Sequence, residues 1–305
     1  MKAVICTAYG PPEVLKLTEI PRPVPKDNEV LIKIVATAVN SGDVRVRGLA
    51  VKGFLKVVMR FVLGFSKPRK SVLGTVLSGV VVKAGKDVKN FQPGDEVIAG
   101  TGMKFGCYAE YIALREDSVI SRKPTAASFE EAVAIIFGGM SAIYFLEKAG
   151  IASGAGQKIL VHGATGSVGC AAVQIAKHHK AHVTAVCSGQ GAELAKKLGA
   201  DSIVIYTQQD FTMLNEKFDI VFDAVGKTSK KQCSRLLEKN GKFITVGGLD
   251  VAKETKAQLG QLQSLFDEGE LHACIDRVYT LDEIVEAHRY ADTGKKKGNV
   301  VIKIS

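Results

Sequence analysis

ILVHGATGSVG, residues 159–169, is an apolar run followed by small residues, with glycines at 163, 166 and 169. Such a pattern alone is weak, because any tight strand-to-helix turn uses glycine. Its neighbours decide the reading. Before it, KILVH has the texture of a strand, and after it Ser167 opens an apolar-periodic helix. Strands and helices then alternate: HVTAVC, a helix through 194–198, SIVIY, DIVFDAV, a helix around Leu236, and GKFITVGG. Nearly continuous apolar strands alternating with helices predict an α/β fold, a doubly wound parallel sheet covered on both faces.

Against the pattern G-x-G-x-x-G the turn aligns as Ala164, Gly166 and Gly169, with alanine in the first place. A glycine at 166 lets backbone amides approach a pyrophosphate, and one at 169 lets helix and strand pack closely. The helix N-terminus adds unsatisfied N–H groups and partial positive charge. NAD sites place an acid at the tip of the second strand, where this chain has Val186-Cys187-Ser188-Gly189-Gln190. A 2′-phosphate would meet no like charge there, and Ser188 could donate to it. NADPH is the expected cofactor and NADH the alternative, since no Arg or Lys at the tip clamps the phosphate.

The N-terminal third is β-rich, with branched apolar residues at 1–6, 30–35 and 78–83. PRPVPKDNE (21–29) predicts an extended loop, and QPGDEVIAG (92–100) a turn followed by a strand. Ser128 and Glu131 form a capping box that opens a helix through Ile136. A second helix over 140–149 precedes a glycine-rich link, SGAGQ, at 153–157. After Gly248 come a helix with Leu259, Leu262 and Leu265, another capped by Thr280 and Glu283, and a closing strand, NVVIKI.

The whole chain has 305 residues, 46% hydrophobic and 24% charged, which describes a well-filled globular protein. No apolar leader opens it, and residues 53–65 are too short to span a bilayer. A soluble, cytoplasmic protein without a membrane partner is expected. The net charge of +10 is dispersed, and clusters such as Lys295-Lys296-Lys297 lack interleaved aromatics. This disfavours nucleic acid as a partner. Six cysteines without a CxxC pair suit reduced thiols in a cell interior.

Several stretches in order carry a resemblance: VATAVNSGD (35–43), LGTVLSGVVVKAGKDVKNFQPGDEV (73–97), FGCYAEY (105–111), KPTAASFEEAVAIIFGGMSA (123–142), the glycine turn and FDIVFDAVG (218–226). GKFITVGG (241–248) and EAHRYADTGKKKGNVVIKI (286–304) extend it. Together they resemble the medium-chain dehydrogenase/reductase superfamily, in its zinc-independent quinone oxidoreductase-like branch. That resemblance implies a GroES-like, β-barrel-type catalytic domain over 1–122, a Rossmann domain over 123–268, and a return over 269–305 that completes the catalytic domain. It places cofactor contacts on Ser141, on Ala164, Thr165, Gly166, Ser167, Val168 and Gly169, and on Ser188 and Tyr206. Val225, Val246, Gly247, Gly248 and Asn299 complete the set. Zinc-dependent relatives carry a Cys where this chain has Ser41-Gly42-Asp43, and Gly-His-Glu within 72–76, so no metal is expected.

Without a Lewis acid, the expected chemistry is hydride transfer from NADPH to an electrophile, a quinone or an α,β-unsaturated carbonyl. Asn40 is a candidate to orient the acceptor carbonyl, or else a turn residue using its side chain locally. Tyr144 and Tyr108 are candidate proton donors, with water and ordinary buried tyrosines as the alternatives. Phe54, Val57, Val58, Phe61 and Phe65 share a helical face, either a lid over the cleft or a cover for the core. Cys187 beside the cofactor site is either redox-sensitive or a small core residue. A non-catalytic, redox-sensing dinucleotide-binding protein is the competing function, and RNA binding a third. Val76, Gln190 and Ile205 depart from the family pattern. The resemblance also implies a homodimer, which the short 249–268 segment puts in doubt, because the family normally has another Rossmann strand there that often pairs across the dimer.

Overall fold

Two sheets of different character organise the chain, whose computed structural model describes residues 1–50, 53–151, 156–248 and 250–304. The first three residues of the expected 153–157 link, and Leu249, lie outside the described residues. In chain order come β1 (Lys2–Cys6), β2 (Leu15–Glu19), β3 (Glu29–Val39), α1 (Ser41–Gly48), α2 (Phe54–Leu63), β4 (Val76–Ala84), β5 (Glu96–Gly100), β6 (Tyr111–Arg115) and β7 (Ile120–Arg122). The middle holds α3 (Phe129–Ala149), β8 (Lys158–His162), α4 (Ser167–His178), β9 (His182–Cys187), α5 (Ala192–Lys197), β10 (Ser202–Ile205), β11 (Phe218–Asp223), β12 (Leu237–Thr245) and α6 (Lys256–Asp267). β13 (Ile275–Thr280), α7 (Ile284–Asp292) and β14 (Asn299–Lys303) follow.

The middle strands form a parallel sheet in the order β10-β9-β8-β11-β12. This is the first five places of the Rossmann order, and no sixth strand follows among the described residues. After α6 the chain instead lays β13 parallel to β14, in the mainly antiparallel sheet β13-β14-β3-β4-β5-β7, where β6 also pairs with β3. N-terminal and C-terminal segments thus share one sheet, with β14 pairing antiparallel to β3.

Alternation along the parallel strands sorts side chains to two faces. Ile159, Val161, Val183, Ala185, Ile220 and Phe222 join α3, α4 and the α6 leucines 259, 262 and 265 in the largest core. Leu160, Val186, Val221 and Phe218 point the other way, onto Phe211, Cys233 and Leu236. This second face is covered by single 3-10 turns, Phe211–Met213 and Ser234–Leu236, so the helix expected around Leu236 is one turn only. The apolar residues there are too few for a helical stripe, and exposed polar residues such as Lys227, Lys230 and Lys231 precede them.

A single helix, α3, replaces the two expected over 128–149. Its Ser128–Glu131 capping box forms as expected. Gly138 and Gly139 do not break it, because both are needed for contact. A Cβ on Gly138 would lie 2.2 Å from the Ser167 carbonyl oxygen, and one on Gly139 would lie 2.4 Å from Leu262 Cδ2. α3 is long and apolar enough to cross a membrane, yet 67% of its most apolar window is buried inside the protein.

Candidate functional site

The residues of the glycine turn stand at the carboxyl edge of the parallel sheet, where α/β folds bind ligands. Gly163 adopts φ +78°, and a side chain there would strike Val225 Cγ2 at 1.9 Å. Gly166 is the N-cap of α4, with an ordinary φ of −81°. A Cβ on it meets nothing nearer than the Gly163 carbonyl oxygen at 3.5 Å, so the space above the turn is open. A Cβ on Gly169 would lie 2.1 Å from that same oxygen, the close helix–strand packing expected of it. The Cys170 amide is the first in α4 to find a helical acceptor, Gly166 O at 2.8 Å. The amides of Ser167, Val168 and Gly169 have no acceptor among the described residues, leaving three donors and partial positive charge at the start of α4.

The other expected cofactor residues gather along the same edge. Ser188 follows β9 and is half-buried, Tyr206 follows β10 and is exposed, and Val225 follows β11. Val246, Gly247 and Gly248 follow β12. Thr165 is buried, its carbonyl accepting from the Gly298 amide at 2.7 Å. Asn299 comes from the other sheet. Its Oδ1 accepts from Ser167 Oγ at 2.5 Å, and its Nδ2 donates to Cys274 O at 3.1 Å. Gly166 and Gly298 form an isolated parallel bridge, so the C-terminal strand braces the turn directly.

Asp223, which sequence reasoning did not single out, holds the strand-end loops together. It is fully buried and accepts from the amides of Val225, Gly226 and Thr228 at 3.2, 2.9 and 3.0 Å. Thr245 Oγ1 donates to it at 3.0 Å, and His162 Nδ1 lies at 3.1 Å. Burial alone would raise its carboxyl, but these donors, His162 and Thr228 foremost, hold it down to about 2. An Asp that ends an apolar strand just before Gly226 was the available signal, since short carboxylates bind the amides of the following turn.

The expected chemistry-bearing residues are engaged otherwise. Asn40 is the N-cap of α1. Its Oδ1 accepts from the Gly42 and Asp43 amides at 2.8 and 3.1 Å, and its Nδ2 donates to Thr75 Oγ1 at 2.7 Å. The local reading of Asn40 accounts for its whole amide. A Cβ on Gly42 would come within 4.0 Å of Phe137 on α3, so this cap abuts the same helix that carries Ser141 one turn later. Tyr144 donates to Asp250 Oδ1 at 2.9 Å, and Lys148 pairs with the same carboxylate. The bond to Asp250 raises the Tyr144 hydroxyl, making it a weaker acid. Tyr108 is fully buried, its hydroxyl 3.2 Å from His288 Nε2. Burial also raises the Cys187 thiol, which sits in the core.

Beside Tyr108 lies a second buried carboxylate, Asp43, which accepts from the Asn40 amide at 3.1 Å and the Gly74 amide at 3.2 Å. Burial pushes it up to about 7. Ser41 to Asp43 form the first turn of α1, and Thr75 serves Asn40, so those positions are spent on capping. Among the described residues no three His, Cys, Asp or Glu side chains come together as a metal site.

Known proteins resemble this chain in sequence and in fold. Residues 26–124 match the family described as alcohol dehydrogenase GroES-like domain, and 167–277 the family described as zinc-binding dehydrogenase. The 2-methylene-furan-3-one reductase of Solanum lycopersicum is 36% identical over 99% of this chain and 79% of its own length. The NADPH-dependent alkenal/one oxidoreductase, chloroplastic, of Arabidopsis thaliana is 31% identical over 99% of this chain and 79% of its own length. Among solved structures, the quinone oxidoreductase from Coxiella burnetii superposes with a TM-score of 0.89 at 31% identity, covering 100% of this chain and 99% of that one.

Proposed function

Because the chain belongs to the medium-chain dehydrogenase/reductase superfamily, in its quinone oxidoreductase-like branch, we propose that the carboxyl-edge site binds NADPH and delivers its hydride to a quinone or an α,β-unsaturated carbonyl compound. One observation carries the reading: three free amides at the start of α4, over a glycine with open space above it, face an edge whose second-strand tip bears Ser188 and no acid. When bound, the nicotinamide supplies the hydride. The amides of Ser167 to Gly169 hold the pyrophosphate, and Ser188 donates to a 2′-phosphate. Asp223 fixes the loops that carry Val225 and Gly247. Asn40, through Thr75 and α1, is a positioning residue for the acceptor side of the cleft. Tyr144 ties α3 to the loop after β12 through Asp250, and water supplies the proton.

The substrate partner is a small electrophile, and no zinc takes part. A homodimer of the family's edge-paired kind would have to form on β12, one of the two edges of the parallel sheet and the one where the further strand would lie. Six unpaired cysteines fit a reducing compartment, and we assign the chain to the cytoplasm, although the Arabidopsis relative is named as chloroplastic. The test is loss of nicotinamide absorbance with NADPH and with NADH across quinones, enones and enoyl thioesters, without added metal. A thermal-midpoint rise with NADPH reads cofactor binding separately. A rise without turnover on any acceptor would leave the redox-sensing binding protein as the function. No rise would overturn the cofactor site itself.

A further inference from the structure

Residues 44–86 contain ten Lys and Arg and no Asp or Glu. Within this stretch α2 turns its apolar side outward. Val57, Val58, Phe61 and Val62, with Phe65 just beyond the helix, are 40–59% exposed, and the Phe61 and Phe65 rings touch edge-to-face at 4.9 Å. Of the two readings of this face, lid or cover for the core, its exposure sets aside the cover. The opposite side anchors the helix, Leu63 being buried and Met59 packed beside it. Tyr9 Oη donates to Gly64 O at 2.8 Å, and the Arg69 amide to Leu63 O at 2.6 Å. Arg60, Lys67, Arg69 and Lys70 are exposed around the apolar face, and none is ion-paired among the described residues. The side chains of Phe54 and Lys56 lie outside the description.

An apolar ridge carried on a segment whose charges are all cations is the arrangement of a helix that lies in a bilayer interface, its ridge among acyl chains and its cations at phosphate level. Sequence length had set membranes aside because so short a helix cannot span one. Lying in the surface needs no such length. A second copy of this chain would bring an equally cationic rim against the first, and like charges across an interface oppose docking. We propose that the outward face of α2, with Phe65, docks the protein on an anionic lipid bilayer. The inference stands independently of the hydride chemistry.

The full-length protein is sedimented with vesicles of phosphatidylcholine alone and of phosphatidylcholine containing phosphatidylserine. Binding is expected to the anionic vesicles only, and to fall steeply as salt is raised. The Phe61→Ser/Phe65→Ser double variant, and separately Arg69→Glu/Lys70→Glu, should each weaken it at least about tenfold with an unchanged thermal midpoint. No binding to anionic vesicles overturns the proposal. So does binding that the phenylalanine variant leaves intact, which would mark simple charge attraction. Self-association in buffer that the phenylalanine variant abolishes would assign the face to a second copy and also overturn it.

Discussion

Asp223 and Asp43 are both fully buried aspartates, yet one is held down to about 2 and the other pushed up to about 7. Burial acts on both in the same direction. What differs is the donors aimed at each carboxyl and the charge beside it, His162 at Asp223 and Glu254 at Asp43. Asp223 has three loop amides, a threonine hydroxyl and an imidazole at 2.9–3.2 Å. Asp43 has two amides and the Tyr108 hydroxyl, with the Glu254 carboxylate acting against it. A buried carboxylate organises backbone where many donors converge on it, and keeps its proton where they do not. The parallel-sheet edge is built on the first kind, and the antiparallel lobe tolerates the second.

The harshest way to break this contrast is Asp223→Ala. It leaves several buried donors without an acceptor, and we expect a loss of about 3–5 kcal/mol in urea unfolding, with cofactor binding lost alongside. Stability against pH separates the two residues next. Asp223 has a folded value below its ordinary 3.8, so its contribution, roughly 2 kcal/mol, is complete above that value and lost as pH falls through about 2. Asp43 works the other way. Its folded value of about 7 means the native state keeps a proton the unfolded chain has released, so stability falls as pH rises from about 4 to about 7. His288, depressed from 6.5 to about 3 by burial and then by Arg47, loses stability on acidification over much of the same range and offsets Asp43. Asp43→Asn should therefore steepen the rise of stability with pH between 4 and 6.5, by up to about 1.4 kcal/mol per unit, as read in urea midpoints across buffers. An unchanged slope would show that Asp43 ionises normally.

Smaller effects sharpen the account of the sheet edge. Gly169→Ala places a Cβ against the Gly163 carbonyl and should cost about 1–3 kcal/mol. Gly166→Ala should leave the thermal midpoint nearly unmoved, because its Cβ has room, while weakening NADPH about tenfold by occupying the space over the amides. Equal effects of the two alanines would refute the assignment of separate roles. Smallest of all is Tyr144→Phe. Asp250 is an exposed carboxylate paired with Lys148, so the lost bond should not move the midpoint. If water is the proton source, the pH profile of turnover should also keep its shape.

Much of the parallel sheet was legible because its inner strands β8, β9 and β11 are buried on both faces, and continuous apolar runs such as ILV at 159–161 leave one reading. The glycine turn was legible for the same reason, its strand and helix framing it. Gly138-Gly139 misled, since glycine punctuates loops in sequence but here lets two helices and a carbonyl come close to α3. The 54–65 stretch showed its periodicity and not its orientation, because a moment says that one side is apolar and cannot say which side meets the protein. Asp223 stayed hidden because its partners come from 162, 225–228 and 245, brought together only by β11 lying between β8 and β12. Asn40 was legible as a residue that uses its side chain locally, and the structure shows that use as the N-cap of α1.

The bridge between Gly166 and Gly298, with the adjoining Ser167–Asn299 bond, joins partners 132 residues apart. On the ribosome, the five parallel strands emerge long before β14 does, so the turn is made early and braced late. A nascent chain halted before that strand could have its Rossmann sheet and still hold a loose pyrophosphate turn. Cofactor binding would then report completion of synthesis: the ligand site becomes rigid only once the opposite lobe has been closed by the same strand.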